Sequence, residues 1–219
     1  MTAGVAIFVK TPGRSPVKTR LAATTGAALA EAWHLESAST VAAVAEAARL
    51  EVYWAVAEAA CATDPRWSAY RVLVQPDAGL GARMFEIHRE LVARHGCGLL
   101  LGADTPQLRA IELRRAAAWL DPKRPRLVLG PSTDGGFWLF GANFEIDRTR
   151  WTSVAYSRAD TARRFRRAME GLGSWLELEQ LTDLDTADDI PHVAAQLARL
   201  DAPLDAQMRF LRGLEAAAW

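Results

Sequence analysis

The sequence has few of the features that mark secreted and membrane proteins. Its 219 residues include only two cysteines, Cys61 and Cys97, and these lack the paired spacing of a zinc site or a disulfide framework. Long hydrophobic runs are also missing, because the first apolar stretch covers only residues 5–9 and has no basic segment ahead of it. We therefore expect a cytoplasmic protein in a reducing environment, with no membrane partner.

An excess of charge of either sign is absent as well. Lys and Arg together number 26, and Asp and Glu together number 26, so the formal charges cancel. Proteins that bind nucleic acid usually carry an excess of positive charge. The balanced charge of this chain therefore gives no support to nucleic-acid binding. Any recognition of phosphate must therefore come from a local cluster of basic residues.

What the sequence does contain is an alternation of short β-like runs with longer helix-like runs. The runs that we interpret as buried strands are residues 4–9, 51–57, 98–101 and 126–129, with a weaker one at 71–75. Apolar residues recur at helical spacing between the first two strands, and again at 85–94 and 111–120. This pattern predicts a single α/β domain of three layers, in which helices cover both faces of a mainly parallel sheet.

The last third of the chain departs from the alternation. The apolar run Phe137-Trp138-Leu139-Phe140 predicts a strand added at the edge of the sheet, with a direction that the sequence does not specify. Two amphipathic helices end the chain. We assign residues 1–200 to the domain and residues 201–219 to a C-terminal helix that packs on the domain or on a second subunit.

A cluster of positive charge follows the first predicted strand. Residues 10–21 contain two prolines and four cationic side chains, which are Lys10, Arg14, Lys18 and Arg20. Side-chain charge and backbone N–H groups in such a loop suit a polyphosphate, although a solvated basic loop explains the composition equally well. The loop is not a Walker P-loop, because the glycine and lysine spacing of that motif is absent.

Asp104 follows the predicted strand 98–101, in the segment Gly102-Ala103-Asp104-Thr105-Pro106. Ligands of open parallel sheets bind beyond the carboxyl ends of the strands, and Mg²⁺ prefers carboxylate oxygens that it shares with substrate phosphates. Asp104 is therefore a candidate metal ligand. An alternative of similar weight is that Asp104 or Thr105 caps a helix, with Pro106 in its first turn.

Two glycine-containing segments are weaker candidates. The segment 130–137 contains Asp134, Gly135 and Gly136, whose glycines allow a ligand to approach the backbone, although an ordinary turn is the commoner explanation. The segment 79–84 places two glycines and Arg83 before a helix, as in many anion sites.

An acidic run near the end of the chain contains Asp183, Asp185, Asp188 and Asp189. It can supply a second carboxylate to a metal, or it can cap the helix that follows, with Asp185 or Thr186 as the N-cap. We interpret Asp188 and Asp189 as capping residues. The four histidines lie in helix-like segments, and we interpret them as surface or core residues.

Together and in this order, these segments resemble a bacterial family of small glycosyltransferase-A-like proteins, often described as radical-SAM-associated or selenodomain-associated transferases, a domain of unknown function. The resemblance covers about residues 4–193. The matching residues are Phe8, Lys10, Pro12, Val17, Lys18, Thr19, Arg20, Leu21, Gly81, Arg83, Met84, Gly102, Asp104, Pro106, Gly130, Pro131, Asp134, Gly135, Gly136, Phe137, Asp183, Asp185, Thr186 and Asp189. The chain is similar, more distantly, to molybdopterin guanylyltransferases and phospholactate guanylyltransferases.

The resemblance implies a glycosyltransferase-A-like fold of the kind that binds nucleotide-diphospho-sugars, and a set of site residues. It implies that Lys18, Arg20 and Asp104 form the catalytic centre, and that Asp134, Gly135 and Gly136 bind substrate. Asp104, together with Asp183 or Asp185, is implied to bind Mg²⁺ or Mn²⁺. The residues implied to bind the nucleotide are Lys10, Pro12, Lys18, Arg20, Gly81 and Arg83.

One position departs from the family pattern, because Ser15 followed by Pro16 stands where the family usually has glycine. Glycine reaches positive φ easily, and serine does not. We therefore expect the first loop to follow a different path around the phosphates.

The leading hypothesis is a Mg²⁺-dependent nucleotidyltransferase, in which a phosphate of a small acceptor attacks the α-phosphate of a nucleoside triphosphate and pyrophosphate leaves. The close alternative is a glycosyltransferase that uses a nucleotide-sugar donor. A third reading is a non-catalytic nucleotide-binding regulatory protein. The expected partners are a nucleotide, a small-molecule acceptor and a second copy of the chain.

Overall fold

The computed structural model describes residues 2–120 and 123–217, so Met1 and the predicted helical residues Ala218 and Trp219 lie outside the described part. The strands within these residues are β1 (Gly4–Val9), β2 (Glu51–Val56), β3 (Arg71–Val74), β4 (Gly98–Gly102), β5 (Arg126–Pro131), β6 (Phe137–Ala142) and β7 (Ser174–Glu177). The helices are α1 (Thr19–Thr25), α2 (Ala27–Ala47), α3 (Leu80–His95), α4 (Ala110–Trp119), α5 (Arg148–Thr152), α6 (Thr161–Ala168), α7 (Asp189–Ala198) and α8 (Asp205–Ala216). Two single turns of 3₁₀-helix, Ala59–Cys61 and Pro65–Trp67, lie between β2 and β3.

The strands of the described residues form one seven-stranded sheet in the order β3-β2-β1-β4-β6-β5-β7. Every neighbouring pair is parallel except the two pairs that β6 makes with β4 and β5. The predicted mainly parallel sheet is therefore confirmed.

Helices cover both faces of the sheet, as predicted. Val5 and Ile7 of β1 enter a buried cluster with residues of α2 and α4, whereas Ala6 enters a second cluster with residues of α3, α5 and α6. Successive side chains of a strand point to opposite faces, so the two clusters are the two cores of a three-layer α/β/α domain. Since both faces are buried, β1 reads as a continuous apolar run rather than an alternating one.

The prediction that residues 137–140 form an edge strand is wrong. β6 lies inside the sheet, antiparallel to both β4 and β5. The sequence contains the reason, because Trp138, Leu139 and Phe140 are all buried, with Leu139 in one core and Phe140 in the other. An edge strand rarely buries both of its faces. The edge position belongs to β7, a short strand that the sequence pattern does not reveal.

A third cluster of buried side chains joins the two ends of the chain. Leu21 of α1 and Trp33 of α2 pack with Val193 of α7 and Phe210 of α8. The amide nitrogen of Gln207 in α8 donates to the carbonyl oxygens of Pro106 and Leu108, each at 2.9 Å. The described part of the C-terminal helix therefore packs on its own chain and supports the segment that follows β4.

The structure also shows the state of the cysteines and whether the described helices could span a membrane. Cys61 and Cys97 are both buried free thiols. Among the described residues, no helix is at once long enough and apolar enough to cross a bilayer.

Gly81 determines how closely α3 packs on α5. A methyl group at this position would overlap the carbonyl oxygen of Trp151 and the ring of Tyr156. We expect Gly81→Ala to lower the free energy of unfolding by about 1–3 kcal/mol, because a packed helix interface must shift to admit the added carbon. Urea unfolding measures this change.

Gly79→Ala is the matched control, since nothing lies within 4 Å of a carbon added there and the residue precedes the same helix. Its free energy of unfolding should change by less than about 0.5 kcal/mol. Equal effects of the two substitutions would contradict the packing role of Gly81.

Candidate functional site

The candidate site lies where the order of the strands reverses. β1 stands between β2 and β4, so the chain builds outward from β1 in both directions, and ligands of open α/β sheets bind at such a point. A cleft opens here beyond the carboxyl ends of the strands. It has a large compartment of about 680 Å³ and a small compartment of about 240 Å³. The residues that border both compartments are Phe8, Leu80, Asp134, Ser157 and Arg158.

Charged side chains dominate the wall of the large compartment. The cationic residues are Lys10, Lys18, Arg20, Arg83 and Arg158, and the anionic residues are Asp104, Asp134 and Asp185. The basic first loop and Asp104 therefore meet in one cavity, although 86 positions separate Lys18 from Asp104. Pro12 and Gly81 are not among the lining residues, even though the family resemblance implies that both bind nucleotide.

Pro12 and Gly81 have structural roles instead. The carbonyl oxygen of Pro12 accepts a hydrogen bond from Arg66 at 2.9 Å, and Pro12 itself is buried. Gly81 allows α3 to approach α5. Their positions in the motif therefore reflect the packing of the segments around the cavity.

Lys18 and Asp104 form a close ion pair. The Nζ atom of Lys18 lies 2.6 Å from Oδ1 of Asp104, and it also donates to the carbonyl oxygen of Leu184. The side chain of Lys18 is 3% exposed and that of Asp104 is 39% exposed, so the pair lies at the floor of the cavity with one side open. Lys18 therefore neutralises Asp104 and joins the first loop to the end of β4 and to the late acidic run.

The backbone of Lys18 also shows a constraint. Lys18 precedes α1 with φ 48° and ψ 39°, a left-handed conformation that is uncommon for a residue other than glycine. Such a conformation costs on the order of 1 kcal/mol and persists where surrounding contacts determine it. The ion pair with Asp104 supplies such a contact.

Asp104 does not cap a helix, so that alternative is wrong. α4 begins only at Ala110, after Arg109. The backbone of Asp104 pairs instead with the late acidic run, because the N–H of Leu184 donates to the carbonyl oxygen of Asp104 at 2.9 Å. The carboxylate of Asp104 is left to face the cavity.

Asp183 approaches the same junction from the small compartment. Burial raises the pKa of Asp183 to about 7, and the negative charges of Asp104 and Asp134 add to this effect. The positive charge of Lys18 opposes it. The two carboxylates of Asp104 and Asp183 therefore repel each other across the junction between the compartments.

Asp185 and Arg20 lie further out. Nη1 of Arg20 is 3.0 Å from Oδ2 of Asp185, and their side chains are 74% and 45% exposed. An ion pair this exposed contributes little to stability. Both side chains line the large compartment. The N-cap of α7 is Asp188, so the prediction of Asp185 or Thr186 at this position is wrong. Asp189 is the first residue of the helix, and its carboxylate accepts from the N–H groups of Asp185 and Thr186, which precede the helix.

The carboxylates of Asp104 and Asp183 provide only part of the ligand set of a divalent cation. No group of three or more potential ligands is gathered among residues 2–120 and 123–217, and Asp185 is directed to Arg20. Asp104 and Asp183 nevertheless place two mutually repelling carboxylates at one junction, which a cation would relieve. Mg²⁺ is commonly held by one or two carboxylates together with substrate phosphates, and this donor set suits that arrangement.

The first loop is anchored by the segment between β2 and β3. The carboxylate of Glu58 accepts from the backbone N–H of Thr11 at 3.0 Å and from the hydroxyl of Ser15. Nε1 of Trp67 donates to the hydroxyl of Thr11 at 3.0 Å. The left-handed residues of the loop are Gly13 and Lys18, not Ser15. Serine at position 15 therefore needs no positive φ, and its hydroxyl fixes the loop instead.

The Asp134-Gly135-Gly136 segment combines the two roles that the sequence left open. Oδ1 of Asp134 accepts from the N–H of Gly136 at 2.8 Å, which closes the turn. Gly135 has φ 88°, and a side chain there would overlap the backbone of Ala159. Asp134 and Gly136 line the cleft, whereas Gly135 does not.

Several lining residues were not identified from the sequence. His34, which we interpreted as packing, reaches the large compartment from α2, and its Nε2 lies 3.0 Å from the carbonyl oxygen of Lys10. Burial lowers the pKa of His34, so the neutral ring holds the backbone of Lys10. Ser157 and Arg158 belong to an irregular segment before α6, and no periodic pattern or motif marked them.

Comparison with known families gives one match. A family profile described as "Uncharacterized protein conserved in bacteria (DUF2064)" matches residues 37–158, which is more than half of the chain. The matched part includes Asp104, Asp134 and Arg158 but neither the first loop nor the late acidic run. A search of curated proteins finds no match.

Solved structures with the same fold include a protein from Desulfovibrio desulfuricans G20 that is provisionally named a nucleotide-diphospho-sugar transferase. It has a TM-score of 0.82 and 20% identity, and the alignment covers 99% of this chain and 97% of that one. A CMP:2-keto-3-deoxy-manno-octonic acid synthetase, solved with CTP, has a TM-score of 0.58 and 14% identity over 91% and 99% of the chains.

A third structure is the 4-diphosphocytidyl-2C-methyl-D-erythritol synthase from Anaerococcus prevotii DSM 20548. Its TM-score is 0.51 and its identity 10%, over 90% of this chain and 97% of that one. At these identities the likeness shows the fold. The predicted glycosyltransferase-A-like fold is therefore confirmed.

We expect the Lys18–Asp104 pair to stabilise the fold. Lys18→Met should lower the free energy of unfolding by about 1–3 kcal/mol, because Asp104 then lacks its counter-charge. The loss is not larger because the carboxylate of Asp104 is partly exposed to water. A double-mutant cycle with Asp104→Asn, followed by urea unfolding, should give a coupling energy of about 1 kcal/mol or more.

The exposed Arg20–Asp185 pair is the internal control. The same cycle with Arg20→Met and Asp185→Asn should give a coupling energy below about 0.5 kcal/mol. A coupling energy for Lys18 and Asp104 that does not exceed this value would show that their contact is not stabilising.

The raised pKa of Asp183 gives a pH prediction. Between about pH 5 and pH 7 the folded protein keeps a proton on Asp183 that the unfolded chain, with an ordinary pKa near 4, has lost. The free energy of unfolding should therefore fall as the pH rises, by up to about 2 kcal/mol over this range. Asp183→Asn should flatten the decrease.

The measurement is urea unfolding at a series of pH values in EDTA, which keeps divalent cations from the carboxylates. Asp188→Asn is the control, since Asp188 belongs to the same acidic run and is exposed. It should keep the pH dependence of the wild type. The prediction is wrong if Asp183→Asn also shows the pH dependence of the wild type.

Proposed function

The chain belongs to the DUF2064 family, and we propose that it is a nucleotidyltransferase that moves a nucleotidyl group from a nucleoside triphosphate to a small phosphorylated acceptor. One observation carries the proposal. The basic first loop and Asp104 line a large compartment, Asp183 lines the small compartment beside it, and burial together with the charge of Asp104 raises the pKa of Asp183. A transfer reaction needs this arrangement, because donor and acceptor must meet at one charged centre.

The large compartment suits the donor. Its volume of about 680 Å³ falls within the usual range for sites of small molecules and cofactors. Lys10, Arg20 and Arg83 line it, so several positive charges face a ligand there. We assign the phosphates of the nucleotide to these side chains, with Arg20 steadying the pyrophosphate as it leaves.

Lys18 has a different part in this scheme from the one the family resemblance implies. Its ammonium is already engaged by Asp104 and by the carbonyl oxygen of Leu184. Lys18 therefore acts first as a positioning residue that fixes the carboxylate of Asp104 at the junction. Since it also borders the large compartment, its charge stays close to the phosphates of the donor.

We assign the binding of Mg²⁺ to Asp104 and Asp183, with the remaining ligands supplied by the phosphates of the donor. The ion supplies neutralisation of the charge that develops on the transferred phosphoryl group. The protein supplies the position of the groups around it. The N–H of Leu184 donates to the carbonyl oxygen of Asp104, and this backbone pairing holds the segment that contains Asp183 beside the end of β4.

Names of structurally similar proteins support a nucleotide-dependent transferase. The synthetase solved with CTP and the diphosphocytidyl-methyl-erythritol synthase share the fold over 90% or more of this chain. The second candidate function is glycosyl transfer from a nucleotide sugar. It is favoured by the name of the Desulfovibrio protein, which shares the fold at a TM-score of 0.82. A regulatory role without catalysis is the third reading.

Calorimetric titration separates these readings. We expect a nucleoside triphosphate to bind in the presence of Mg²⁺ with a dissociation constant below about 1 mM. This limit is the upper end of the usual range of Michaelis constants, roughly 1 μM–1 mM. Asp104→Asn should weaken Mg²⁺-dependent binding about tenfold or more, because a charged ligand is lost. Asp188→Asn, in the exposed part of the late acidic run, is the matched control.

Each reading has its own outcome. Release of pyrophosphate on addition of an acceptor supports the nucleotidyltransferase, whereas preferential binding of nucleotide sugars favours glycosyl transfer. Tight binding without turnover across acceptors favours the regulatory reading. If no nucleotide binds at millimolar concentration, or if Asp104→Asn binds as the wild type does, the proposal is wrong.

A further inference from the structure

The small compartment differs in chemistry from the large one. Residues that line the small compartment but not the large one include Met84, Leu100, Phe137, Trp138 and Tyr156. Its volume of about 240 Å³ equals about eight water molecules at roughly 30 Å³ each. A nucleotide exceeds that space, whereas a six-membered ring with a short substituent fits within it.

The aromatic side chains present apolar surfaces to this space. The hydroxyl of Tyr156 donates to the carbonyl oxygen of Trp151 at 2.8 Å, so its polar end is used elsewhere. Nε1 of Trp138 likewise donates to the carbonyl oxygen of Glu179 at 3.1 Å. A ligand body in the compartment therefore meets ring faces and aliphatic carbon, which favour an apolar group.

Arg158 is the cationic side chain at this compartment among its described lining residues. Its guanidinium has no hydrogen bond or ion pair to any residue in 2–120 and 123–217. Asp134 and Asp183 border the same space. One oxygen of Asp134 already accepts from Gly136, and Asp183 is assigned to Mg²⁺ under the proposed function. The hydroxyl of Thr161 is also used, since it donates to the carbonyl oxygen of Arg158 at 2.7 Å.

The backbone of Arg158 is held in place. Its N–H donates to the hydroxyl of Thr161 at 3.0 Å, and Ser157 before it takes a left-handed conformation with φ 59°. The N–H of Ala162 donates to the carbonyl oxygen of Gly135 at 2.9 Å, which ties the start of α6 to the glycine turn. A fixed backbone that carries an unpaired guanidinium at the mouth of a cavity suits the recognition of an anion.

We propose that the small compartment binds the acceptor as a phosphate monoester with a compact apolar body, and that Arg158 binds the phosphate. The phosphate then lies at the border with the large compartment, where the donor is bound. This inference rests on the proposed function, which requires a phosphorylated acceptor. It adds the apolar character of the acceptor and assigns its anion to a residue outside the first loop.

Probes that separate the two features test this directly. Phenyl phosphate carries both an apolar body and a phosphate, phenol carries only the body, and glycerol 3-phosphate carries the phosphate on a polar body. We expect phenyl phosphate to bind at least about tenfold more tightly than either partial probe, since each partial probe lacks either the buried apolar body or the charge-assisted hydrogen bonds. Benzylamine tests the opposite charge and should bind more weakly than phenyl phosphate.

Methyl NMR locates the bound probe. The chain has four methionines, of which Met84 lines the small compartment and Met169 and Met208 do not. With ¹³C-methyl methionine, phenyl phosphate should shift the Met84 signal, because an aromatic ring then lies beside it. The signals of Met169 and Met208 should stay in place. Met84→Leu identifies the signal.

Arg158→Gln tests the anion site. It should weaken the binding of phenyl phosphate about tenfold or more and leave that of phenol unchanged within about twofold. Arg167→Gln is the matched control, since it removes the same charge from an exposed position on α6 that does not line the cleft. It should bind phenyl phosphate as the wild type does.

Three results would overturn the inference. These are a glycerol 3-phosphate affinity equal to that of phenyl phosphate, tighter binding of benzylamine than of phenyl phosphate, and binding of phenyl phosphate that leaves the Met84 signal in place. The NMR titration needs no nucleotide, so its failure differs from that of the proposed function. Loss of nucleotide binding in the calorimetric titration contradicts the transferase, whereas nucleotide binding with any of these three results contradicts only the acceptor assignment.

Discussion

The ion pair between Lys18 and Asp104 is the contact on which the arrangement of the cleft depends. It buries an ammonium at the floor of the cavity, and the same ammonium donates to the carbonyl oxygen of Leu184. Burying a charge is costly unless it is paired, so the three segments must stay together for Lys18 to stay buried. The left-handed backbone at Lys18 follows from this requirement, because it turns the side chain from the start of α1 toward β4.

The position of β6 explains how the late acidic run reaches Asp104. β6 is inserted antiparallel between β4 and β5, so the chain returns across the sheet before it leaves again. The segment after β7 then pairs with the end of β5 through Ser132 and Leu181. From there it runs beside Asp104, where Leu184 donates to the backbone. Asp183 faces the small compartment as a result.

The sequence predicted those features that depend on a single strand or helix. It did not predict those that depend on how several elements pack together. The core strands were readable because both faces are buried, and Asp104 stood out because it ends such a strand. The helical spacing at 111–120 agrees with α4, which begins at Ala110, but local pattern could not show that Gly81 serves packing against Trp151. His34 and Arg158 could not be found either, since helix packing and an irregular segment bring them to the cleft.

The division of the cleft also bears on specificity. Positive charge is spread around the large compartment, so several basic side chains share the contacts with a phosphate there. In the small compartment Arg158 is the cationic residue among the described lining residues, Asp134 and Asp183 are the acidic ones, and most of the others are apolar. A site of the first kind tolerates variation in its ligand, because the loss of one contact leaves others. A site of the second kind discriminates more sharply, because one positive side chain makes the contact and a ligand without an anion loses all of it. Selectivity of the proposed reaction should therefore reside mainly in the acceptor.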